Sequence, residues 1–326
     1  MNRLYVAALI GMMSFGAVSA HAGPIVIGRY AGEFLALGAG ARALAMGGAS
    51  VASPTRASAV YYNPAGLAGF VGSEAEFMHA SQFENLYTYD YLSYVQKLPN
   101  GLAGGITALY TRVGDIPITR LEDPNAPLND TDNRVVVSKT TSDNELALMA
   151  GLGKQAENGW RMGGTAKLLC KTVASESAYG LGFDVGVGRT LGQSFDIGAT
   201  AHDITTSILA WSTGRTEAIA PSIVVGGAWG ASIPSLNARV TVAADLDGHF
   251  ETRGAAEQVS AGPLSVQPRG GVEYEIARTV ALRGGVNGSN WTAGAGLKLA
   301  MVRVNAAFQD HPDLGLTNRV SVAVNW

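Results

Sequence analysis

Along the last seven residues, Val320, Val322, Val324 and Trp326 alternate with Ser321, Ala323 and Asn325, and Arg319 continues the second set. A strand sends successive side chains to opposite faces, so this segment predicts a strand with one apolar and one mainly polar face. The same period of two recurs upstream. Met301–Gln309 sets Val302, Val304, Ala306 and Phe308 against Arg303, Asn305 and Gln309, and Ala238–Asp247 sets Val240, Val242, Ala244 and Leu246 against Arg239, Thr241, Asp245 and Asp247. In Trp160–Lys171 the apolar set is Trp160, Met162, Ala166, Leu168 and Cys170, opposed by Arg161, Thr165, Lys167 and Lys171. Tyr179–Gly188 sets Tyr179, Leu181, Phe183, Val185 and Val187 against four glycines and Asp184. From Val71 onward the pattern predicts about fourteen such segments, each of roughly eight to fourteen residues and closed by turn formers.

Alternation alone fits a soluble sandwich as well as a membrane barrel. The connections separate the two. Links after even-numbered segments are short: Leu98-Pro99-Asn100, Gln155–Asn158, Leu191–Gln193, Ile233–Asn237, Ala277-Arg278 and a turn near Met301. Links after odd segments include the long ones, Asp115–Asp143, Thr205–Pro221, Asp247–Val266 and Asp310–Gly315. Sorting by parity predicts an all-β chain: a transmembrane antiparallel β-barrel of about 14 strands over residues 71–326, with short periplasmic turns, longer outer loops and its C-terminus on the short-turn side. Val322, Val324 and Trp326 then form the C-terminal signal addressed to the outer-membrane assembly machinery. Outer-membrane lipid is the partner of the apolar faces. Tyr87, Tyr89, Tyr91, Tyr94, Trp160, Trp211, Trp229, Trp291 and Trp326 fall near segment ends, where an interfacial girdle would hold them.

Residues 1–22 support export. Arg3, the apolar run Leu4–Val18 and Ala20-His21-Ala22 read as a secretory signal cleaved before Gly23, the run being too short to span a bilayer. The chain has 42 glycines, 47% hydrophobic and 15% charged residues, which places apolar surface at short period. A net charge of -3 gives no basic footprint, which excludes nucleic acid as a partner. The single Cys170 excludes an intramolecular disulfide and a Cys-rich metal site.

Residues 23–70 have a different character. Gly40-Ala41-Arg42-Ala43-Leu44-Ala45-Met46-Gly47-Gly48-Ala49 and Ala57-Ser58-Ala59-Val60-Tyr61-Tyr62-Asn63-Pro64-Ala65-Gly66-Leu67 are rich in small residues, suited to close packing inside a lumen that wall side chains cannot fill. Asn63-Pro64 favours a fixed turn in which Asn63 bonds its own backbone. In these two runs the chain resembles the FadL superfamily of outer-membrane barrels, and within it the PorV/PorQ-type branch. The resemblance implies a fourteen-stranded barrel with an N-terminal hatch whose motif residues are Gly40, Arg42, Met46, Gly47, Asn63, Pro64 and Ala65. It implies passive transport or binding of a hydrophobic small molecule at the outer membrane of a Gram-negative-type cell. The PorV-like alternative is an accessory or shuttle protein that carries secreted protein cargo, gripped by the loops Asp115–Asp143 and Asp247–Val266.

Catalytic chemistry is weakly represented, and the reading is of no enzyme, no cofactor and no metal. Gly38-x-Gly40-x-x-Ala43 outlines a dinucleotide fingerprint, but no strand-helix unit surrounds it. The histidines His21, His79, His202, His249 and His311 stand at no ligand spacing from one another or from Cys170, and no G-x-S-x-G occurs. His202-Asp203 and Asp310-His311 are the nearest approach to a hydrolase, and Asp123, Asp130, Asp132 and Asp143 to a hard-cation site. The register directs Arg161, Lys167, Asp184, Arg239, Asp245, Arg269, Glu273, Glu275, Arg283, Lys298, Arg303 and Arg319 to the lumen, with both signs present and no ion selectivity implied.

Overall fold

A computed structural model describes residues 25–27, 32–83, 86–123, 125, 133–250, 259–262, 264–311 and 315–326. The predicted signal, 1–22, lies outside them. Seven strands form the first half of the wall: β1 (Ser73–Gln82), β2 (Tyr87–Lys97), β3 (Leu102–Leu121), β4 (Val135–Gln155), β5 (Trp160–Val173), β6 (Glu176–Leu191) and β7 (Phe195–His202). The second half is β8 (Ser222–Ile233), β9 (Ala238–His249), β10 (Leu264–Ile276), β11 (Val280–Asn287), β12 (Asn290–Leu299), β13 (Val302–His311) and β14 (Gly315–Asn325). Each pairs antiparallel with its neighbours, and β14 pairs back onto β1 from Asn318↔Ser81 to Asn325↔Glu74. Ser73 and Trp326 exchange backbone hydrogen bonds of 2.8 and 3.0 Å at the seam. Closure leaves the main sheet no edge to satisfy, the condition for strands in lipid.

The alternation sets the two faces as expected. On β14, Val320 is 51% exposed outward while Arg319 and Ser321 are 3% and 0% exposed inward. On β6, Tyr179, Leu181, Phe183, Val185 and Val187 all point out, and Asp184 is buried inside. Apolar exposure extended around the whole wall far exceeds what a water-facing monomer carries, and a bilayer supplies the missing contact. Every link after an even strand is a tight turn, including the short helical turns Pro99–Gly101 and Pro234–Leu236. Trp326 stacks on Tyr94 at this end, with ring centroids 6.1 Å apart, and Trp229 and Trp291 are exposed on the outside.

Three expectations change. Asp115–Asp143 is mostly strand: β3 and β4 are 20 and 21 residues long, roughly 65–70 Å at about 3.3 Å per residue, so the hairpin stands well clear of the membrane. The turn formers Gly114-Asp115 make a bulge, where the register shifts between Val113 and Ile116 and Asp115 takes φ 53°. Thr205–Pro221 also carries strands, Ser207–Trp211 and Thr216–Ile219, which form a hairpin; the latter pairs in parallel with Ile25–Ile27. Finally, Tyr89 and Tyr91 leave the girdle. They point inward and are fully buried, because the lumen beside them is filled by protein.

Candidate functional site

Residues 32–70 lie within the barrel and run from wall to wall. Glu33–Leu37 forms a 3-10 turn, α1 (Ala41–Ala45) packs on β11 to β14, α2 (Ala59–Tyr62) packs on β3 and β4, and the turn Pro64–Leu67 packs on β3 to β6. Helices this short are not stable alone, so tertiary contact holds them. The small residues serve that contact: Ala39, Ala41, Ala45, Ala57 and Ala59 are fully buried.

Two seats meet this segment with glycines. At the first, Asn63 is the cap of the turn Pro64–Leu67: its Oδ1 accepts from Ala65 N at 3.0 Å, and its Nδ2 donates to Val51 O at 2.8 Å and to Val187 O in the wall at 3.1 Å. The wall opposite is bare. A Cβ on Gly186 would stand 2.1 Å from Asn63 Oδ1, and one on Gly163 would stand 2.4 Å from the Pro64 carbonyl. At the second seat, Met46-Gly47 lies on β10 and β11. Gly47 has φ 66°, and a Cβ there would meet Val286 O at 2.2 Å, so only glycine fits. Gly47 N donates to Thr292 Oγ1 at 3.1 Å, and the hydroxyl donates to Ala45 O at 3.2 Å.

Charged wall groups hold the rest. Glu273 receives Arg42 in a bidentate pair at 2.9 and 2.9 Å, and the same carboxylate takes Arg283 at 2.6 Å. Asp245 accepts from Ser50 N at 2.6 Å and Val51 N at 2.9 Å; Glu74 accepts from Ala57 N at 3.1 Å and lies 3.3 Å from Arg303. Arg319 donates to Leu37 O and, at 3.1 Å, to Gly38 O. The Tyr61 and Tyr62 hydroxyls accept from Gly38 N and Ala39 N, each at 3.0 Å. Burial pushes both hydroxyls above their ordinary range, so they remain neutral. These N–H bonds occupy the glycine run that outlined a phosphate fingerprint. Gly40 lies beneath Glu76, buried at the start of α1.

The predicted site residues therefore meet the wall at separate points: Arg42 at Glu273, Met46 and Gly47 at β10–β11, and Asn63, Pro64 and Ala65 at β4–β6. Glu74 and Ser93, two wall residues that hold the same segment at Ala57, escaped sequence reading, and Thr165 reads in the sequence only as a member of a polar face. Thr165 donates to Val60 O at 2.9 Å and Ser93 to Ala57 O at 2.8 Å. On β1, Glu74 and Glu76 share the inward face with Met78 and Ala80, so no polar face was visible.

On the long-loop side of this segment lies a cavity of about 140 Å³. Tyr61, Tyr62, Leu35, Leu37 and Ile219 contribute apolar walls. Lys167 sits between Asp184 and Asp203, 2.7 Å from each; Asp184 meets His202 at 3.2 Å; Asp247 meets Arg269 at 2.5 Å and His249 at 3.2 Å. On the short-turn side a second space of about 290 Å³ is lined by Arg42, Arg56, Glu273, Arg278, Lys298 and Arg303, among others. Neither Asp123 nor Asp143 joins a metal-type cluster among the described residues, and Asp143 faces Lys171 at 3.9 Å. Asp130, Asp132 and the His311 side chain lie outside the described residues.

No family model and no curated protein matches the chain. Among solved structures, it is similar to the CymD monoaromatic hydrocarbon channel at 11% identity and TM-score 0.62, covering 89% of this chain and 98% of that one. It is similar to the Pseudomonas putida toluene transporter TodX at 15% identity and TM-score 0.55, with coverage of 88% and 97%. A Pseudomonas aeruginosa FadL homologue matches at 12% identity and TM-score 0.55, again over 88% and 97%. At these identities the likeness is one of fold, and the fold is that of closed outer-membrane barrels.

Proposed function

We propose that the chain is an outer-membrane channel through which hydrophobic small molecules pass without an energy source, residues 32–70 acting as the hatch. One observation supports the reading: a closed barrel with an apolar exterior has its own N-terminal segment packed against its inner wall, with a small cavity on the long-loop side and an open space on the other. A wall built for stability alone has no use for that arrangement. Two of the solved structures it is similar to, CymD and TodX, are described as a monoaromatic hydrocarbon channel and a toluene transporter, which supports the small-molecule reading over catalysis. The signal at 1–22 and the hatch motif belong to this proposal. The PorV-like branch and its protein cargo draw no support from any particular feature of the barrel.

The test is uptake by intact outer-membrane-bearing cells with and without the chain. The initial rate of labelled toluene or phenol entry rises with the chain and is insensitive to de-energising the cell, while entry of a disaccharide does not change. Equal rates for both rings in the two strains contradict the proposal.

A further inference from the structure

We propose that the cavity on the long-loop side selects a neutral single-ring molecule bearing a hydrogen-bond donor, a phenol, over the unsubstituted ring and over a ring carboxylate. This rests on the channel reading and names its substrate class. Size is the first argument. The cavity holds about 140 Å³, close to the roughly 150 Å³ apolar cavity known to take up one benzene. Tyr61 and Tyr62, edge to face with centroids 4.7 Å apart, give one wall an aromatic surface for such a ring.

Polarity is the second. A cavity for a bare hydrocarbon is apolar throughout, since polar groups facing it lose hydrogen bonds to water and gain none. Here the pairing of strands sets His202, Ser222, His249 and Ser265 side by side across β7 to β10. Of that row, His202, Ser222 and His249 line the cavity. Two residues along β9, Asp247 lines the same space. A ring hydroxyl reaching this row replaces water as the donor to a carboxylate or imidazole, a bond that toluene cannot make.

Charge is the third. Three cations, Lys167, Arg269 and Arg319, face five carboxylates around the cavity, and Lys167 and Arg269 are already spent on aspartates at 2.5 to 2.7 Å. An incoming carboxylate meets excess negative charge, and the remaining cation, Arg319, already donates to Leu37 O and Gly38 O, so a neutral donor is preferred.

Bromine makes the test direct. Crystals of the full chain are soaked with 4-bromophenol, bromobenzene or 4-bromobenzoate across a concentration series, and anomalous density in the cavity is measured. The expected result is half-occupancy by 4-bromophenol at about a tenfold lower concentration than by bromobenzene, the discrimination of one hydrogen bond to a charged or strongly polar group, with 4-bromobenzoate absent. In the paired variant His202→Leu with His249→Leu, the preference for 4-bromophenol falls below about threefold. Equal or tighter binding of bromobenzene, preferred binding of 4-bromobenzoate, or a cavity that excludes all three overturns the assignment. Uptake without that preference leaves the channel reading intact, so the two failures are separable.

Discussion

Glu273→Ala lowers the stability of the folded barrel by about 3–5 kcal/mol, the cost of removing one partner from a buried ion pair. The size follows from what the carboxylate does. It holds Arg42 from the N-terminal segment and Arg283 from the wall at 2.6 to 2.9 Å in a site it leaves only 7% exposed. Truncation strands two guanidinium groups, neither of which can lose its proton. Arg42→Ala behaves differently. Glu273 keeps Arg283, so the wall stays neutral at that point and the loss is about 1–3 kcal/mol, while the N-terminal segment is released on one side. Denaturant unfolding of bilayer-embedded protein, followed by tryptophan fluorescence, measures both. A Glu273→Ala loss no larger than that of Arg42→Ala contradicts the role of Glu273 as the carboxylate that neutralises both guanidinium groups.

The seat of Asn63 gives the second large effect. Asn63→Ala deletes the donor to Val51 O and Val187 O and the acceptor for Ala65 N, which leaves the buried Val51 O and Ala65 N without that partner, at a cost of about 2–4 kcal/mol. Gly186→Val attacks the same seat from the wall, since even its Cβ falls 2.1 Å from Asn63 Oδ1. In the barrel, β6 remains paired along its length in either variant, because side chains and not ladder bonds are changed. Both variants therefore keep the heat-resistant compact mobility of a closed barrel, and both raise single-channel conductance in planar bilayers several-fold. Unchanged conductance in both variants refutes the gating role of Asn63-Pro64-Ala65.

Much of the wall was legible because a period of two is a local property. Val320, Val322 and Val324 announce their face within five residues, and the parity of the links follows from counting. Lys167, Asp184, Asp245, Glu273, Arg283 and Arg319 were legible as inward charges for the same reason, and all six are buried. Their partners were not legible. Gly186 reads as one more small residue until Asn63, 123 positions earlier, is seen to rest on it. Asp245 reads as a lumen charge, and nothing local reveals that it accepts two backbone N–H bonds from Ser50 and Val51. Gly114 and Asp115 carry turn signals, and the bulge that absorbs them depends on pairing with β4. The hydrogen-bonding row of His202, Ser222 and His249 was hidden because three separate strands must be brought into register to form it.

Lipid meets one face of this wall, and protein fills the space behind the other. Nitroxide labels placed singly at 320, 321, 322 and 323 in a Cys170→Ser background, in bilayers, test both halves at once by relaxation with oxygen and with a water-soluble nickel chelate. Strong oxygen and weak nickel relaxation are expected at 320 and 322, where valines face out, and weak relaxation by both at 321 and 323, where Ser321 and Ala323 are buried at 0% and 2% exposure. Nickel access at 320 and 322 contradicts a lipid-facing wall, and nickel access at 321 and 323 contradicts a filled lumen.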